Sequence, residues 1–244
     1  MQPRDFPSYY ATQFDTVELD NTFYRTPSTS TVEGWNLKTS PSFIFTAKIP
    51  QVITHEKVLV DCEADLKHFL KTMDLLGDKL GPLLFQFGYF NKAAFKSQAE
   101  FLARLKRFLM KLPKGYKFAV EIRNKNWMDV RFADLLREHG VALALVDQGW
   151  MPRPWEMKEQ FDLITADFTY VRWFGDRKGI EQKTKTWDKT IIDRRADLKN
   201  WVDILKQMVN YKKIRKLLAF ANNHYAGHGP ATVKLFMDLW NKEE

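Results

Sequence analysis

Short apolar runs alternate along this chain with longer stretches in which apolar residues recur every three or four positions. The short runs are typical of strands buried on both faces, and the longer stretches are typical of helices with one apolar face. The pattern predicts about seven strands. They cover residues 14–19, 43–48, 83–87, 118–122, 141–146, 168–173 and 217–221.

Helices with one apolar face are predicted between these strands and after the last of them. Their apolar stripes lie within residues 66–76, 101–112, 128–136, 198–209 and 233–240, and the last two stripes include Val209 and Met237. Gly77, Gly140 and Pro113 end three of these stripes, since glycine and proline commonly terminate helices. A further short helix is predicted to begin at Ser30, where Ser-Thr-Val-Glu has the spacing of a capping box, and to run through Trp35.

The regular alternation of strand and helix predicts an α/β fold with a parallel sheet. A chain of 244 residues with about seven such repeats suits a TIM-like (β/α) barrel better than an open, doubly wound sheet. No linker or repeat divides the sequence, so residues 1–244 are predicted to form a single domain. No Gly-rich nucleotide-binding motif follows any strand, and no cofactor is therefore expected.

Basic residues outnumber acidic ones, with 38 lysines and arginines against 30 aspartates and glutamates and a net charge of +8. This balance favours anionic partners, but the two signs are interspersed, which is typical of a solvated surface. The densest basic segment covers residues 183–195. We interpret it as a solvated loop and helix start, with contact to a nucleic-acid phosphate backbone as the alternative.

The sequence lacks the features of a membrane or secreted protein. No apolar run approaches the roughly 18 residues that a membrane span needs, and the first residues show no apolar core of a signal peptide. The single cysteine, Cys62, excludes an internal disulfide and is expected to be structural, because its acidic neighbours disfavour a thiolate. These features predict a cytoplasmic protein that does not associate with membranes.

Polar side chains follow the last predicted strand at the point where it ends. Asn222, Asn223 and His224 come directly after an apolar run, and a Gly-rich turn and a helix with proline at its start follow them. In α/β barrels and doubly wound sheets the carboxyl ends of the strands face the crevice where ligands bind. The sequence therefore predicts a substrate-binding site that contains these two amides and this imidazole.

Charged and polar residues stand near the ends of the other predicted strands, and we expect them to converge on the same face. They are Glu18, Lys48, His55, Gln86, Glu121, Arg123, Asp147 and Arg172. The carboxylates Glu18, Glu121 and Asp147 are candidate catalytic acids or bases. The three cations are candidates for holding an anionic substrate group, and His55 and Gln86 complete the substrate-binding set.

These groups also have structural interpretations. Glu121 and Arg123 are two apart on a strand and point the same way, so they are also suited to a structural ion pair. Asp147 is also suited to capping the turn after its strand. His224 and His228 have the spacing of some metal pairs, but the glycines around them favour a loop over a helix, and no metal site is predicted.

Blocks of residues that occur in order along nearly the whole chain carry a resemblance to a known family. They cover residues 14–24, 43–55, 80–87, 119–127, 170–172 and 222–230. They include the Tyr-Val-Arg of residues 170–172 and the Asn-Asn-His-x-x-Gly-x-x-Pro of residues 222–230. In these blocks the chain resembles the domain-of-unknown-function 72 family, also called YecE-like. The resemblance implies a TIM-like barrel whose biochemical activity is not established.

The sequence departs from the pattern of that family at several positions. The family opens with a Gly-Thr-Ser-Gly-Trp strand, which has no counterpart here, so the first barrel strand is expected to be missing at the N-terminus. Gly88 and Tyr89 stand in place of a double proline, and Asn126 stands in place of a serine. Phe174 stands where the family often has a histidine near Arg172. These changes argue against a role for a hydroxyl or an imidazole at these positions.

The sequence thus predicts an enzyme that binds a phosphorylated or carboxylated small molecule, with hydrolase or lyase/isomerase chemistry. A nucleic-acid binding or processing protein is one alternative, in which the same cations contact phosphates and Trp150, Trp155 or Trp173 stacks a base. A non-catalytic protein-interaction barrel is the other. It would use the loop of residues 149–157, which is expected to be exposed.

Overall fold

The computed structural model describes residue 2, residues 5–210 and residues 214–242. Its strands match the seven predicted runs, with ends that differ by up to three residues. They are β1 (Thr16–Leu19), β2 (Ile44–Lys48), β3 (Leu80–Gln86), β4 (Phe118–Glu121), β5 (Ala142–Gln148), β6 (Phe168–Gly175) and β7 (Lys216–Ala221). Among the described residues before Thr16 the chain forms a helix and no strand.

Helices occur before β1, between every two successive strands and after β7. They are α1 (Phe6–Ala11), α2 (Thr29–Leu37), α3 (Glu63–Met73), α4 (Gln98–Leu109), α5 (Val130–Glu138), α6 (Pro154–Met157), α7 (Arg177–Glu181), α8 (Arg195–Asn210), α9 (Asn223–Ala226) and α10 (Gly229–Lys242). Within the described ranges, none of these helices is long and apolar enough to cross a membrane. The alternation of parallel strands with helices confirms the predicted α/β class.

The chain divides into two compact units, Met1–Val120 and Glu121–Glu244. In the first unit, β1 pairs with β2 and β2 pairs with β3, and both pairs are parallel. In the second unit, β5 pairs with β6 and β6 pairs with β7, again in parallel. That the chain forms a single domain stays a prediction.

Aromatic side chains form much of the core of the first unit. Phe85 of β3 packs edge-on against Phe108 of α4, with ring centroids 5.3 Å apart. Phe87, just after β3, contacts Phe101 of α4 in the same way at 5.5 Å. All four rings are buried, and burying one such side chain contributes roughly 1.5–3 kcal/mol. These contacts hold α4 against β3.

Helix α2 begins before the predicted capping box. Ser28 is its N-cap residue, with an extended backbone and a side chain that accepts a hydrogen bond from the N–H of Thr31. Ser30, the predicted start, lies inside the helix, so that prediction is wrong. An N-cap residue needs non-helical backbone angles, and the chain has them at Ser28.

The apolar faces of α8 and α10 are as predicted except at two positions. Trp201 and Leu205 of α8 and Phe236 of α10 are buried. Val209 and Met237, which were assigned to the same faces, are 37% and 50% exposed. Each follows a buried residue directly, and one residue is a rotation of about 100° around a helix. Those two assignments are therefore wrong.

The loop between β5 and β6 is less exposed than predicted. Met151, Pro154 and Met157 are buried, and Trp155 is half-buried. Trp150 is exposed. The short helix α6 turns two of the apolar side chains inward, so the prediction of an exposed apolar loop is wrong for all of them except Trp150.

Candidate functional site

The register of β5 and β6 decides which predicted site residues share a face of the sheet. Val146 pairs with Arg172, and Asp147 pairs with Trp173. Paired residues on neighbouring parallel strands project to the same side, whereas successive residues of one strand project to opposite sides. Arg172 and Asp147 therefore lie on opposite faces of this sheet.

Glu121, at the end of β4, is fully buried between two arginines. Its Oε2 accepts a hydrogen bond from Nη1 of Arg172 at 2.7 Å, and its Oε1 lies 2.5 Å from Nη2 of Arg123. Burial of a charge is costly unless the charge is paired and hydrogen-bonded, and each oxygen of this carboxylate has its own guanidinium. Glu121 and Arg123 form the ion pair that their spacing predicts, and Arg172 joins it.

The ring of Phe174 lies against both guanidinium groups. Its centroid is 4.3 Å from Cζ of Arg172 and 4.9 Å from Cζ of Arg123. The register of β6 against β5 shifts between Trp173 and Gly175, so Phe174 is the extra residue of a β-bulge. Bulges redirect side chains, and this one puts an aromatic face next to two cations, where it attracts them.

We call Glu121, Arg123, Arg172 and Phe174 the arginine cluster. Two guanidinium groups and one carboxylate leave it with a net positive charge. A guanidinium carries five N–H donors in a planar fork, so it can bind a protein carboxylate and an anionic ligand group at once. The cluster lies towards the carboxyl ends of β4 and β6, the end at which α/β folds bind ligands. It is chemically suited to a carboxylate or a phosphate.

Asp147 has different partners on the other face of the sheet. Its Oδ2 accepts hydrogen bonds from Nε1 of Trp201 at 2.8 Å and from the hydroxyl of Tyr225 at 3.0 Å, and its Oδ1 pairs with Arg153. Burial raises the pKa of Tyr225, which keeps its phenol a hydrogen-bond donor. These bonds link β5 to α8 and α9 and give Asp147 a structural role. Its catalytic role stays a prediction that no contact supports.

Asn222 and Asn223 cap the two helices that follow β7. Oδ1 of Asn222 accepts a hydrogen bond from the N–H of His224 at 2.9 Å, where α9 begins. Oδ1 of Asn223 accepts one from the N–H of Gly229 at 2.8 Å, where α10 begins. Such caps satisfy N–H groups that a helix leaves unpaired at its start. Substrate binding by these amides stays a prediction.

His224 lies beside Glu181, a carboxylate that the sequence pattern did not single out. Its Nε2 is 3.2 Å from Oε1 of Glu181, and its Nδ1 is 2.5 Å from Oδ1 of Asn222. The ring of Trp187 lies nearly perpendicular to the imidazole, with centroids 4.8 Å apart. Glu181 also accepts a 2.8 Å hydrogen bond from Nε of Arg177, and this bond lowers the pKa of Glu181 more than His224 does.

Two short helices, α7 and α9, build this region. The signal for α7 in the sequence is the i, i+4 spacing of Arg177 and Glu181, which favours a helix by an ion pair on its surface. His224 lies in the single turn of α9, so the predicted loop is wrong at that residue, but His228 lies beyond Gly227 and the two histidines do not share a helix, as predicted. Asn222 caps α9, and Gly227 ends it in the left-handed conformation.

Two glycines let backbone segments approach closely at this end of β6 and β7. Gly175 has a φ of +68°, and a Cβ there would lie 2.7 Å from Cα of Tyr225. Gly227 has a φ of +107°, and a Cβ there would lie 2.7 Å from the carbonyl oxygen of Lys189. Any larger residue would be strained and would force backbone apart. Helix α9 therefore lies directly against the end of β6 and against Lys189.

The first unit contains its own cluster around Phe23. Nζ of the buried Lys48 is 3.0 Å from Oδ1 of Asp20 and 4.0 Å from the ring centroid of Phe23. The ring of His55 meets the same Phe23 edge-on at 5.0 Å, and its Nδ1 is 2.8 Å from Oγ1 of Thr54. Burial and, next, the charge of Lys48 lower the pKa of His55.

Gln86 and Glu18 also lie in the first unit. Nε2 of Gln86 donates a hydrogen bond to the carbonyl oxygen of Phe87 at 2.8 Å, at the end of β3. Glu18 is half-buried on β1. Substrate binding by Lys48, His55 and Gln86 and catalysis by Glu18 stay predictions.

Trp173 is not available to stack on a base. It is 1% exposed and contacts the rings of Trp201 and Phe236 at centroid distances of 6.0 and 4.8 Å. Trp155 is half-buried and packs against Trp201 at 5.9 Å, which leaves Trp150 as the exposed member of the predicted stacking set. The expectation for Trp173 is therefore wrong, because its side chain lies on the helix-facing side of β6.

Cys62 lies buried just before α3. Burial, and after it the nearby carboxylates of Glu63 and Asp65, raise the pKa of its thiol to about 11. The thiol therefore stays protonated near neutral pH, as its acidic neighbours predict. Among the residues that the structure describes, no three or more histidine, cysteine or acidic side chains are grouped as a metal ion would need.

The whole chain matches a family model, and part of it matches a curated protein. The model is described as "Protein of unknown function DUF72" and covers residues 1–244. The "UPF0759 protein YecE" of Escherichia coli (strain K12) is 31% identical over 115 residues, which are 47% of this chain and 40% of that protein. The match thus spans less than half the length of YecE.

Solved structures of DUF72 family proteins resemble this chain over nearly its full length. One from Thermotoga maritima MSB8 has a TM-score of 0.70 and 25% identity and covers 100% of this chain and 91% of that one. One from Enterococcus faecalis V583 has a TM-score of 0.71 and 19% identity and covers 96% and 88% of the two chains. The predicted TIM-like fold class is confirmed.

Proposed function

The chain belongs to the DUF72 family, and we propose that it is a cytoplasmic enzyme that acts on a carboxylated or phosphorylated small molecule without a cofactor. The anionic group of that molecule binds to the arginine cluster of the second unit. The observation that supports this proposal is the burial of Glu121 between the guanidinium groups of Arg123 and Arg172.

Stability alone is a poor explanation for such a cluster. Taking charges out of water is costly, and a buried ion pair or triad is often no more stabilising than apolar residues of similar volume. Here three charged side chains lie within or just after strands whose other positions are largely apolar. A ligand that needs a preorganised pair of guanidinium groups gives a reason for this cost.

The residues of the cluster have different proposed roles. Arg123 and Arg172 hold the anionic group, because a planar guanidinium can donate two parallel hydrogen bonds to a carboxylate or phosphate. Glu121 contacts both arginines and is the general acid or base. Hydrolase or lyase/isomerase chemistry requires proton transfer and charge stabilisation beside the bound anion, and both are available from these three side chains.

A ligand screen by thermal unfolding tests this proposal. The panel contains phosphorylated metabolites, sugar acids and nucleotides, with neutral sugars for comparison. A ligand at about 100 times its Kd stabilises a folded protein by about 2.7 kcal/mol, which raises Tm by several degrees in a chain of this size. We expect small anions to give such a shift and neutral sugars to give none.

Two lysine variants control that screen. Arg172→Lys keeps the charge but loses the planar fork, so it should lose most of the ligand-induced shift. Arg131→Lys alters an exposed arginine in the first turn of α5 and should keep the full shift. An undiminished shift in Arg172→Lys, or no shift of the wild type with any anion, would contradict the proposal.

Nucleic-acid binding is the second candidate function, favoured by the exposed basic residues of the segment 183–195. Lys183, Lys185, Lys189 and Arg195 are exposed, and binding through them would be dominated by phosphate contacts. Fluorescence anisotropy with a labelled single-stranded oligonucleotide at two salt concentrations tests it. Tight binding that falls steeply with salt and is unchanged in Arg172→Lys would favour this candidate over the enzyme.

A further inference from the structure

An apolar cavity of about 400 Å³ lies in the first unit, between α1, α2 and the first two strands. Val17 of β1 pairs with Phe45 of β2, and Leu19 lies two residues further along β1, so these three side chains share a face and form the floor of the cavity. Trp35 of α2 forms a side wall, and its ring stacks on that of Phe45 with centroids 6.3 Å apart. The cavity therefore lies between the sheet and the helices that cover it.

Helix α1 covers this cavity only loosely. None of its six residues is buried, and Phe6, Tyr9 and Tyr10 line the cavity although they are 53%, 55% and 37% exposed. The ring of Tyr10 meets that of Phe43 edge-on at a centroid distance of 6.5 Å, and the side chains of β1 beneath the helix are only half-buried. Protein interiors are close-packed, so this arrangement leaves apolar surface that a ligand could cover.

The chemistry of the lining favours a neutral ligand. None of the described residues that line the cavity carries a charge. The hydroxyl of Thr39 already donates to the carbonyl oxygen of Trp35 at 3.1 Å, and burial raises the pKa of Tyr10, which keeps its phenol neutral. A charged or strongly polar molecule would lose its water here without gaining partners. An apolar or aromatic molecule would instead gain by leaving water and packing against the rings.

The volume of the cavity favours a small molecule over a protein partner. Small-molecule sites have volumes of about 300–1,000 Å³, and an apolar cavity of about 150 Å³ is enough to bind benzene. A cavity of about 400 Å³ therefore has room for two or three fused rings. A stable protein interface uses roughly 20–30 residues of each partner, far more than line this cavity.

We propose that this cavity is a binding site for a neutral aromatic or alicyclic molecule of about two rings. The bound molecule packs against Trp35 and the tyrosines of α1 and covers Val17 and Leu19. All the described lining residues belong to the first unit, and none of them is part of the arginine cluster. The proposal is therefore independent of the function proposed above. Because the ligand contacts both α1 and β1, its binding also holds the helix against the sheet.

Binding of 2-naphthol to the full chain tests this site, because 2-naphthol is neutral near pH 7 and has two fused rings. Isothermal titration measures its affinity, with phenol as the one-ring comparison. We expect one molecule of 2-naphthol to bind per chain, about tenfold more tightly than phenol, since the second ring buries further apolar surface. Hydrogen–deuterium exchange locates the bound molecule. It should slow exchange in α1 and β1 and leave α8 of the second unit unchanged.

Two matched pairs of variants show whether the probe binds in the cavity. Tyr10→Ala removes part of the wall and should weaken binding about tenfold, whereas Tyr89→Ala removes an exposed tyrosine outside the lining and should have no effect. Val17→Trp fills part of the cavity and should weaken binding at least as much, whereas Val130→Trp adds the same ring at an exposed position of α5 and should not. Tyr10 is partly exposed, so Tyr10→Ala remains informative if Val17→Trp does not fold.

Four results would overturn the proposal. The first is that the wild type does not bind 2-naphthol, and the second is that Tyr10→Ala and Val17→Trp bind it as tightly as the wild type. The third is binding that is lost in Arg172→Lys but kept in Tyr10→Ala, because the probe would then occupy the arginine cluster. The fourth is a wild type that is dimeric by light scattering and becomes monomeric as Tyr10→Ala, because a second copy of the chain would then cover the cavity.

Discussion

Glu121 and Asp147 are two buried carboxylates near the ends of successive strands, and both pair with arginine, but their surroundings differ. Glu121 is held by two guanidinium groups on the face of the sheet that carries Arg172. Asp147 is held by one guanidinium and by neutral donors of Trp201 and Tyr225 on the face that meets the helices. The comparison shows that polar residues near strand ends can point to either face of the sheet, and that the face decides which side chains they meet.

The strongest test of this comparison is Glu121→Gln. The variant removes a charge that pairs with the buried Arg172 and the half-buried Arg123, so we expect the free energy of unfolding to fall by about 3–5 kcal/mol. Sulfate should restore part of that loss, because an external anion can take the place of the carboxylate. Urea unfolding with and without sulfate measures both effects.

Asp147→Asn is the matched control for that test. It removes the charge from the other buried carboxylate, and sulfate should then give only the general stabilisation that it gives to the wild type. Equal rescue of Glu121→Gln and Asp147→Asn by sulfate would mean that the two faces do not differ in their affinity for anions.

Trp201→Phe sharpens the comparison from the helix-facing side. The substitution keeps an aromatic ring but removes one of the two donors to Oδ2 of Asp147, and a hydrogen bond to a charged group contributes about 1.5–3 kcal/mol. We expect this loss in urea unfolding and an unchanged affinity for anions in isothermal titration. Weakened anion binding in Trp201→Phe would argue that the two faces are coupled.

Phe174→Leu tests the aromatic support of the arginine cluster. Its ring contacts both guanidinium groups, and cation–π contacts contribute about 1 kcal/mol each where they are partly shielded from water. Because there are two such contacts, we expect a loss of about 2 kcal/mol in unfolding free energy and a weaker affinity for anions. Phe174→Tyr keeps the aromatic face and should retain the affinity, and equal behaviour of the two variants would contradict this role.

The smallest expected effect lies in the first unit, at His55. Burial and Lys48 lower its pKa below the ordinary value of about 6.5, so the unfolded chain binds a proton more readily than the folded one. Its contribution to stability is therefore present above about pH 6.5 and is lost as the pH falls towards the lower, folded-state pKa. The urea concentration at the unfolding midpoint should decrease from neutral to mildly acidic pH, and this decrease should be smaller in His55→Gln than in the wild type. An unchanged pH profile would contradict this contribution.

The sequence predicts the strands well because each is a continuous apolar run bounded by polar or turn residues. The spacing of Glu121 and Arg123 also predicts their ion pair, since residues two apart on a strand share a face. Arg172 as the third member is not predictable in this way. Its contact with Glu121 depends on how separate strands align, and that alignment leaves no local pattern.

Other parts of the site depend on details that local patterns do not contain. The face of Asp147 follows from the register of β5 against β6, and the position of Phe174 follows from a bulge in that register. Glu181 is not predicted as a site residue because α7 has five residues and too few apolar positions to show a helical stripe. The capping roles of Asn222 and Asn223 require the start of two helices within seven residues of each other, which strand and helix patterns do not resolve.

The burial of Cys62 has a practical consequence for biophysical work on this protein. Maleimides and disulfide reagents react with accessible thiolates, and the chain contains one cysteine, whose thiol is buried with a pKa of about 11. The wild-type protein is therefore expected not to react with such reagents near neutral pH. A single cysteine introduced at the exposed Lys178 would carry a spin label or fluorophore without removal of the native thiol.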